Sequence, residues 1–428
     1  MIGAGARLFR AAAVVLRVGR TANIYQSRSI ICSTSTARFV HGDVRDANPV
    51  AVQMIDYALS HARSKKSEDS YSQGMLVLEQ CLMAQPCDGR DAENSRGLVM
   101  LAMSTLLYEM GNFGDAMEKL HIIEDLKNSS LGVRVAAIEA LVGLNLELGQ
   151  DDASSVLADK CLELFSEESI ESGSTESMIK SRALAVRGLI ELVRGDLDSA
   201  RVFFEGSDGE VDSAGNVALS YGQYLHCTMN FSSAKEVYQK VIQGTSENKG
   251  LAQTHLAACN MIPDEVILGA TCALGQLESH MGNFTDAEEI LTKALIKTEE
   301  HFGSCHAKVG VVLTCIGFMF RWKAIQEHSS SLLVQEGLFR RAVDLLKAPP
   351  LDSEETHTKC NRRDVMALAR GGYAEALCIQ QNRKAEGEKL KSWSESAWRN
   401  RRLSLSEALD WQGPSHLPII DPRTSRVL

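Results

Sequence analysis

Soft metal ligands crowd together in the segment His301-Phe302-Gly303-Ser304-Cys305-His306, directly after Glu299-Glu300. Two imidazoles and a thiol could hold zinc. The spacing, however, matches none of the paired Cys or His patterns that build such sites, and it falls where one helix gives way to the next. The 11 cysteines are scattered with no Cys-x-x-Cys pair. Most take apolar helical positions, where a thiol serves as a small hydrophobe, and that usage fits a reducing compartment. No Gly-x-x-x-x-Gly-Lys-Ser/Thr loop, Gly-x-Ser-x-Gly elbow or His-Glu-x-x-His pair is present. Gly3-Ala4-Gly5 is not a dinucleotide fingerprint, because no strand precedes it. The pairs Glu167-Glu168, Glu288-Glu289 and Glu354-Glu355 read as solvated helix faces or loops. Arg401-Arg402-Leu403-Ser404 has the form of a basophilic kinase site. Asn230-Phe231-Ser232 and Asn283-Phe284-Thr285 have the form of glycosylation acceptors, but both coincide with a repeated turn. The expectation is a protein with no catalytic residue, no metal and no cofactor.

That turn organises the chain. It runs Met110-Gly111-Asn112-Phe113-Gly114-Asp115-Ala116 and Met281-Gly282-Asn283-Phe284-Thr285-Asp286-Ala287. Further copies are Arg194-Gly195-Asp196-Leu197-Asp198-Ser199-Ala200 and Met229-Asn230-Phe231-Ser232-Ser233-Ala234. Glycine ends a first helix, a polar residue starts the turn, an aromatic or Leu pins it, and Ala admits a second helix closely. Leu120, Phe204, Tyr238 and Leu291 continue the apolar stripe four residues on, and a small residue stands seven before the turn at Ser104, Gly188, Gly222 and Gly275. The repeat-packing residues are thus expected to be Ala116, Gly188, Ala200, Gly222, Ala234, Gly275, Ala287 and Ala342.

This pattern resembles the tetratricopeptide repeat family, most clearly over about Leu268 to Thr298. The stretch from Ala294-Leu295 through Glu299-Glu300, Gly303, His306, Val309 and Leu313 resembles its kinesin-light-chain type. The resemblance implies an all-α, right-handed α-solenoid of stacked helix-turn-helix repeats. The close-packed second-helix positions are Gly74, Ala116, Ser154, Ala200, Ala234, Ala287, Ala342 and Ala385. Only the step from Ala200 to Ala234 matches the family's period; longer steps imply inserted loops or longer helices. Seven or eight helix pairs are expected over residues 43–392, followed by a capping helix and flexible tail over 393–428. The apolar run Val309 to Phe320 is too short to span a bilayer and reads as a buried helix.

The resemblance also implies a curved inner wall supplied by the first helices. Mapped onto this sequence, that wall includes Leu101, Thr105, Tyr108, Leu189, Leu192 and Leu219. Its expected partner-binding residues are Gln223, His226, Gln276, His280, Phe318, Arg321 and Trp322. It carries little charge and suits a peptide or helix laid along it. The clamp with which some relatives hold chaperone tails is not matched. The corresponding sets are Leu59, Arg63, Ala102, Ala136 and Ala140, or Leu101, Thr105, Ala140, Arg182 and Val186, so Hsp70 and Hsp90 tails are doubtful partners. The expected function is a non-enzymatic scaffold binding other proteins. The alternative is an organellar RNA-binding helical-repeat protein.

Charge speaks against that alternative. Of 45 Lys and Arg, six arginines (Arg7, Arg10, Arg17, Arg20, Arg28 and Arg38) fall before the first acid, Asp43. The rest of the chain therefore sets 39 basic against 55 acidic residues, a net −16 that repels nucleic-acid backbones. The acid-free, Arg- and Ala-rich start has the character of a mitochondrial transit peptide over residues 1–40, with a chloroplast leader as the alternative. A matrix location is expected.

Overall fold

In the computed structural model, the described residues are 47–86, 89–167, 174–206, 215–247, 256–350, 361–410 and 417–428. The expected transit peptide lies outside them. The body from His41 to Leu428 forms one compact unit. Among the described residues it is built of eight helix pairs. They are α1 (Pro49–Lys65) with α2 (Glu68–Ala84), α3 (Arg90–Glu109) with α4 (Phe113–Glu124), α5 (Leu131–Glu147) with α6 (Asp151–Glu167), and α7 (Ser174–Arg194) with α8 (Leu197–Glu205). The remaining pairs are α9 (Asn216–Cys227) with α10 (Phe231–Glu247), α11 (Pro263–His280) with α12 (Phe284–Phe302), α13 (Ala307–Gln326) with α14 (Leu332–Leu345), and α15 (Arg363–Cys378) with α16 (Lys384–Ala397). A short helix α17 (Leu405–Leu409) and a hairpin of β1 (Ile420–Asp421) and β2 (Arg426–Val427) complete the order.

Each odd helix packs on its even partner and on the odd helices before and after it, which makes the array a tetratricopeptide-like α-solenoid with the odd helices as the inner layer. The turn chemistry accounts for the pairing. Gly282 takes φ +80°, and there Asn283 N–H donates to Glu278 O at 2.8 Å, closing the wide C-terminal loop of a helix end. Gly111, Gly149 and Gly195 do the same. Met229 takes φ +62° and makes the equivalent turn, with Asn230 N–H donating to Leu225 O at 2.8 Å.

The two layers differ in burial. In α5, fifteen of seventeen residues are buried, whereas in α4 only Ala116, Leu120 and Ile123 are. An outer helix needs one apolar stripe; a helix buried all round must be covered on its inner side as well. The cover comes from this chain. The segment 256–262 runs between the inner helices, where Cys259 N–H donates to Thr105 Oγ1 at 3.0 Å. A side chain on Gly143 would meet Asn260 Oδ1 at 2.3 Å, so that close approach needs glycine. Long-range bonds then tie distant pairs together. Tyr108 Oη donates to Glu265 at 3.1 Å, Arg362 reaches Glu147 at 2.5 Å, and Arg426 reaches Asp151 at 2.7 Å. Lys66 after α1 lines the same depression as Lys297, His301 and Phe302 at the end of α12, so the array curls back on itself.

Three sequence expectations need correction. The last outer helix spans residues 384–397, so a boundary at 392 cuts through it. Trp393 is buried there beneath Arg370, whose guanidinium carbon lies 3.9 Å from its ring centre. Its close contact is made by Gly387, where a Cβ would lie 2.7 Å from Cys378 Sγ; Ala385 is exposed. The stretch 417–428 is not a flexible tail: Leu417, Ile419, Ile420, Val427 and Leu428 are all at most 3% exposed. The two longest steps between repeats, from Ala234 to Ala287 and from Ala287 to Ala342, have separate causes. Residues 248–262 separate α10 from α11, while α12 and α13 are long, at 19 and 20 residues. Helix α13, the one described helix apolar enough to cross a membrane, is buried within the body.

Candidate functional site

The close-packed positions sit where helices touch. Ala116, Ala200, Ala234, Ala287 and Ala342 are fully buried. A Cβ on Gly188 would come within 2.7 Å of Phe204, on Gly222 within 2.7 Å of Tyr238, and on Gly275 within 2.6 Å of Leu291. These contacts fix the register of the inner wall and hence the direction of its side chains.

On that wall Gln223 and Gln276 bind the C-terminal hairpin. Gln276 Nε2 donates to Ile420 O at 2.8 Å and Ile420 N–H donates to Gln276 Oε1 at 2.8 Å. A primary amide thereby pairs with an extended backbone as a neighbouring strand would. Arg423, fully buried, is caged by neutral groups. Its guanidinium donates to Asn216 Oδ1 at 2.7 Å, Ser220 Oγ at 3.2 Å and Gln223 Oε1 at 3.2 Å. Its charge is met by Asp421 of the same hairpin, at 3.0 Å. Lys308 Nζ donates to Arg423 O at 3.1 Å. Asn400 Nδ2 donates to Val427 O at 2.7 Å, and Arg402 donates to Leu417 O at 2.9 Å and Leu428 O at 2.7 Å.

The other expected partner-binding residues form a buried aromatic run. His226 and His280 share a hydrogen bond of 2.8 Å. Burial lowers both; for His280 it does so to about 3, with Arg402 adding to the effect, and for His226 the neighbouring His280 and then Arg402 add to it. Both are therefore neutral at physiological pH, and one ring N–H donates to the other ring. His280 lies edge-on to Trp322 at 5.0 Å between centres, and Trp322 lies against Phe318 at 5.6 Å. Phe318 and Trp322 are 1% and 2% exposed. Arg321 is paired with Glu375 and donates to Leu409 O at 3.1 Å. The expected open groove is thus covered at six of its seven residues, Gln223 and Gln276 by the hairpin and His226, His280, Phe318 and Trp322 within the core, while Arg321, paired with Glu375, lines a depression with Gln335 and Lys391.

The wall also holds more charge than its composition suggested. Glu139, Glu147 and Glu265 project from inner helices and are each at most 1% exposed. Glu139 pairs with Arg182, Glu147 with Arg362, and Glu265 with Lys308 at 2.7 Å. Burial pushes Glu265 up to about 7 against the pull of Lys308. At Glu147 burial pushes upward too, but Arg362 and Lys308 outweigh it and hold the carboxyl below its usual range. Glu139 and Glu147 are the two acids of a mostly apolar helix; a count of charges hides them, whereas their position does not. Arg63 and Arg182, the basic residues that matched chaperone-clamp positions, are engaged by Glu109 and Glu139. In the His301–His306 segment, His306 Nδ1 accepts from Lys308 N at 3.2 Å and its ring stacks on Phe302. Among the described residues no group of three or more His, Cys, Asp and Glu is placed to hold a metal ion.

No known protein family matches the sequence, and no curated protein matches it. Among solved structures, it is similar to a tetratricopeptide repeat protein from Parabacteroides merdae, at 12% identity over 74% of this chain and 99% of that one, with a TM-score of 0.37. It is also similar to the apo form of RapI, at 12% identity over 81% and 97% of the two chains, with a TM-score of 0.38.

Proposed function

We propose that the protein is a non-catalytic, organellar scaffold whose inner wall receives an extended segment of another protein. The observation that carries this reading is the pairing of Gln276 with the backbone of Ile420, beside a neutral polar cage filled by Arg423. Backbone pairing supplies affinity and a side-chain cage supplies selectivity, the division of labour by which extended peptides are recognised. The titratable groups support a role without catalysis. Glu265 has the raised character of an active-site carboxyl, yet its side chain and that of its partner Lys308 are 0% exposed, and their partners are protein atoms. Assembly of a protein complex in the mitochondrial matrix is the process this reading favours, on the strength of the acid-free, Arg-rich start.

Crosslinking mass spectrometry on isolated mitochondria tests the reading. Crosslinks from residues flanking the inner wall to one recurring protein are expected. Recovery of RNA in a salt-dependent manner, with no protein crosslinks, would sink it in favour of the RNA-binding alternative. A fluorescent protein fused to residues 1–50 is expected to enter mitochondria; a chloroplast or cytosolic signal refutes the location.

A further inference from the structure

We propose that the hairpin 417–428 is an exchangeable occupant of the inner wall, displaced by a partner segment of like chemistry: paired aliphatic residues, a carboxylate, and a guanidinium two residues beyond it. This rests on the scaffold reading and deepens it by naming the partner class.

Three features separate an occupant from a permanent strut. First, the hairpin brings its own counter-charge. Arg423 is neutralised by Asp421, while Asn216, Ser220 and Gln223 are neutral. At that cage withdrawal leaves behind neutral polar groups that water satisfies, and Lys308 keeps Glu265; at the ends of the hairpin Arg426 gives up the partly exposed Asp151, and Arg402 gives up the carbonyls of Leu417 and Leu428. Second, Gln276 reads backbone and accepts any extended residue. Third, the fit is imperfect. Gln223 Nε2 is buried without a hydrogen-bond acceptor, as is Ser425 Oγ, and Ser425 takes φ +53°, a conformation that disfavours a side chain. A partner segment with an acceptor facing Gln223 gains what the hairpin forfeits. The buried aliphatics Leu417, Ile419, Ile420, Val427 and Leu428 hold the hairpin in place until an equally apolar segment replaces it. The groove is therefore exchanged and not left open.

The test uses the full chain with a protease site inserted between Asp410 and Leu417, and a fluorescein-labelled peptide of residues 417–428 as probe. Uptake is followed by anisotropy, and the helical signal by circular dichroism. The cut chain is expected to take up one peptide and keep its helical signal, and the uncut chain to take up at least about tenfold less at equal concentration, the advantage of a tethered competitor. Unlabelled peptide with Asp421→Ala and Arg423→Ala is expected not to compete. In the cut chain Gln276→Ala removes two hydrogen bonds, and exchange is expected to be about tenfold faster. Absence of uptake with the helical signal intact overturns the proposal, as does loss of that signal on dilution after cutting. If the uncut chain captures the crosslinked partner as well as the cut chain does, exchange is overturned while the scaffold reading stands. Peptide uptake establishes exchange even where no partner is recovered.

Discussion

Replacing Trp322 by Ala separates a wall that meets partners from a wall that holds the body together. The indole is 2% exposed and lies 5.0 Å from His280 and 5.6 Å from Phe318. Truncating a buried aromatic residue to Ala costs about 3–5 kcal/mol, of which the two aromatic contacts account for roughly 1–3 kcal/mol. Partial collapse is opposed by the rigid neighbours, since Phe318 is itself held edge-on against Phe339 at 5.3 Å. At a urea slope of roughly 3 kcal/mol per molar, the unfolding midpoint falls by roughly 1–1.7 M. Equilibrium urea titration followed at 222 nm reads this directly, with Trp322→Phe as the control expected to lose less than half as much. A Trp322→Ala midpoint within about 0.2 M of the parent would refute the core assignment, because a loss below about 0.6 kcal/mol is the signature of a surface change.

Other expectations follow from the same geometry. Ala287→Trp overfills a fully buried contact and is expected to cost at least about 1–3 kcal/mol, while Glu288→Gln disturbs only a partly exposed pair with Lys323 and stays within about 0.5 kcal/mol; equal melts contradict the register. Met229→Gly relieves a left-handed backbone at a half-exposed position and is expected to add about 0.5–1 kcal/mol, measured by urea titration; a loss of stability contradicts the turn assignment. His280 is depressed to about 3 in the folded state, so the unfolded chain binds more protons. Stability contributed by the neutral ring is full above pH 6.5 and is lost as pH falls from 6.5 toward 3. His280→Asn is expected to flatten the acid limb of a stability-against-pH curve, and an unchanged limb counts against it. Glu265 has the opposite sign. Raised to about 7, it withdraws stability as pH climbs from 4.5 to 7, and Glu265→Gln is expected to remove that slope.

The helix pairs were legible because their signal is local. Gly282, Asn283, Phe284 and Ala287 end one helix, turn and begin the next within six residues, and each requirement is met by residue type alone. Gln223 and Gln276 could be placed on the inner wall by the same register. What faced them could not be read, because Ile420 and Arg423 lie 144 and 200 residues away in sequence. Leu417-Pro418-Ile419-Ile420-Asp421-Pro422-Arg423 has two prolines and no helical period, so in isolation it reads as a flexible tail. Its burial follows from a cage assembled by α9, α11 and α13. The shift from Ala385 to Gly387 has a different origin: both are small, and only the backbone approach at Cys378 and Ala374 decides between them.

The curled closure of the array changes how it must fold. In an open solenoid each repeat touches only its neighbours, so order spreads from any starting point along the chain. Here Tyr108 meets Glu265 across 157 residues, Arg362 meets Glu147 across 215, and Arg426 meets Asp151 across 275. Such distant pairings must meet the entropy of closing very long loops before they return any energy, which slows the last step of folding. During synthesis the early pairs can form as they emerge, but their inner helices keep bare apolar faces until segments 256–262 and 417–428 arrive. The nascent protein thus spends most of its translation as an uncovered apolar surface, the condition in which molecular chaperones are needed most.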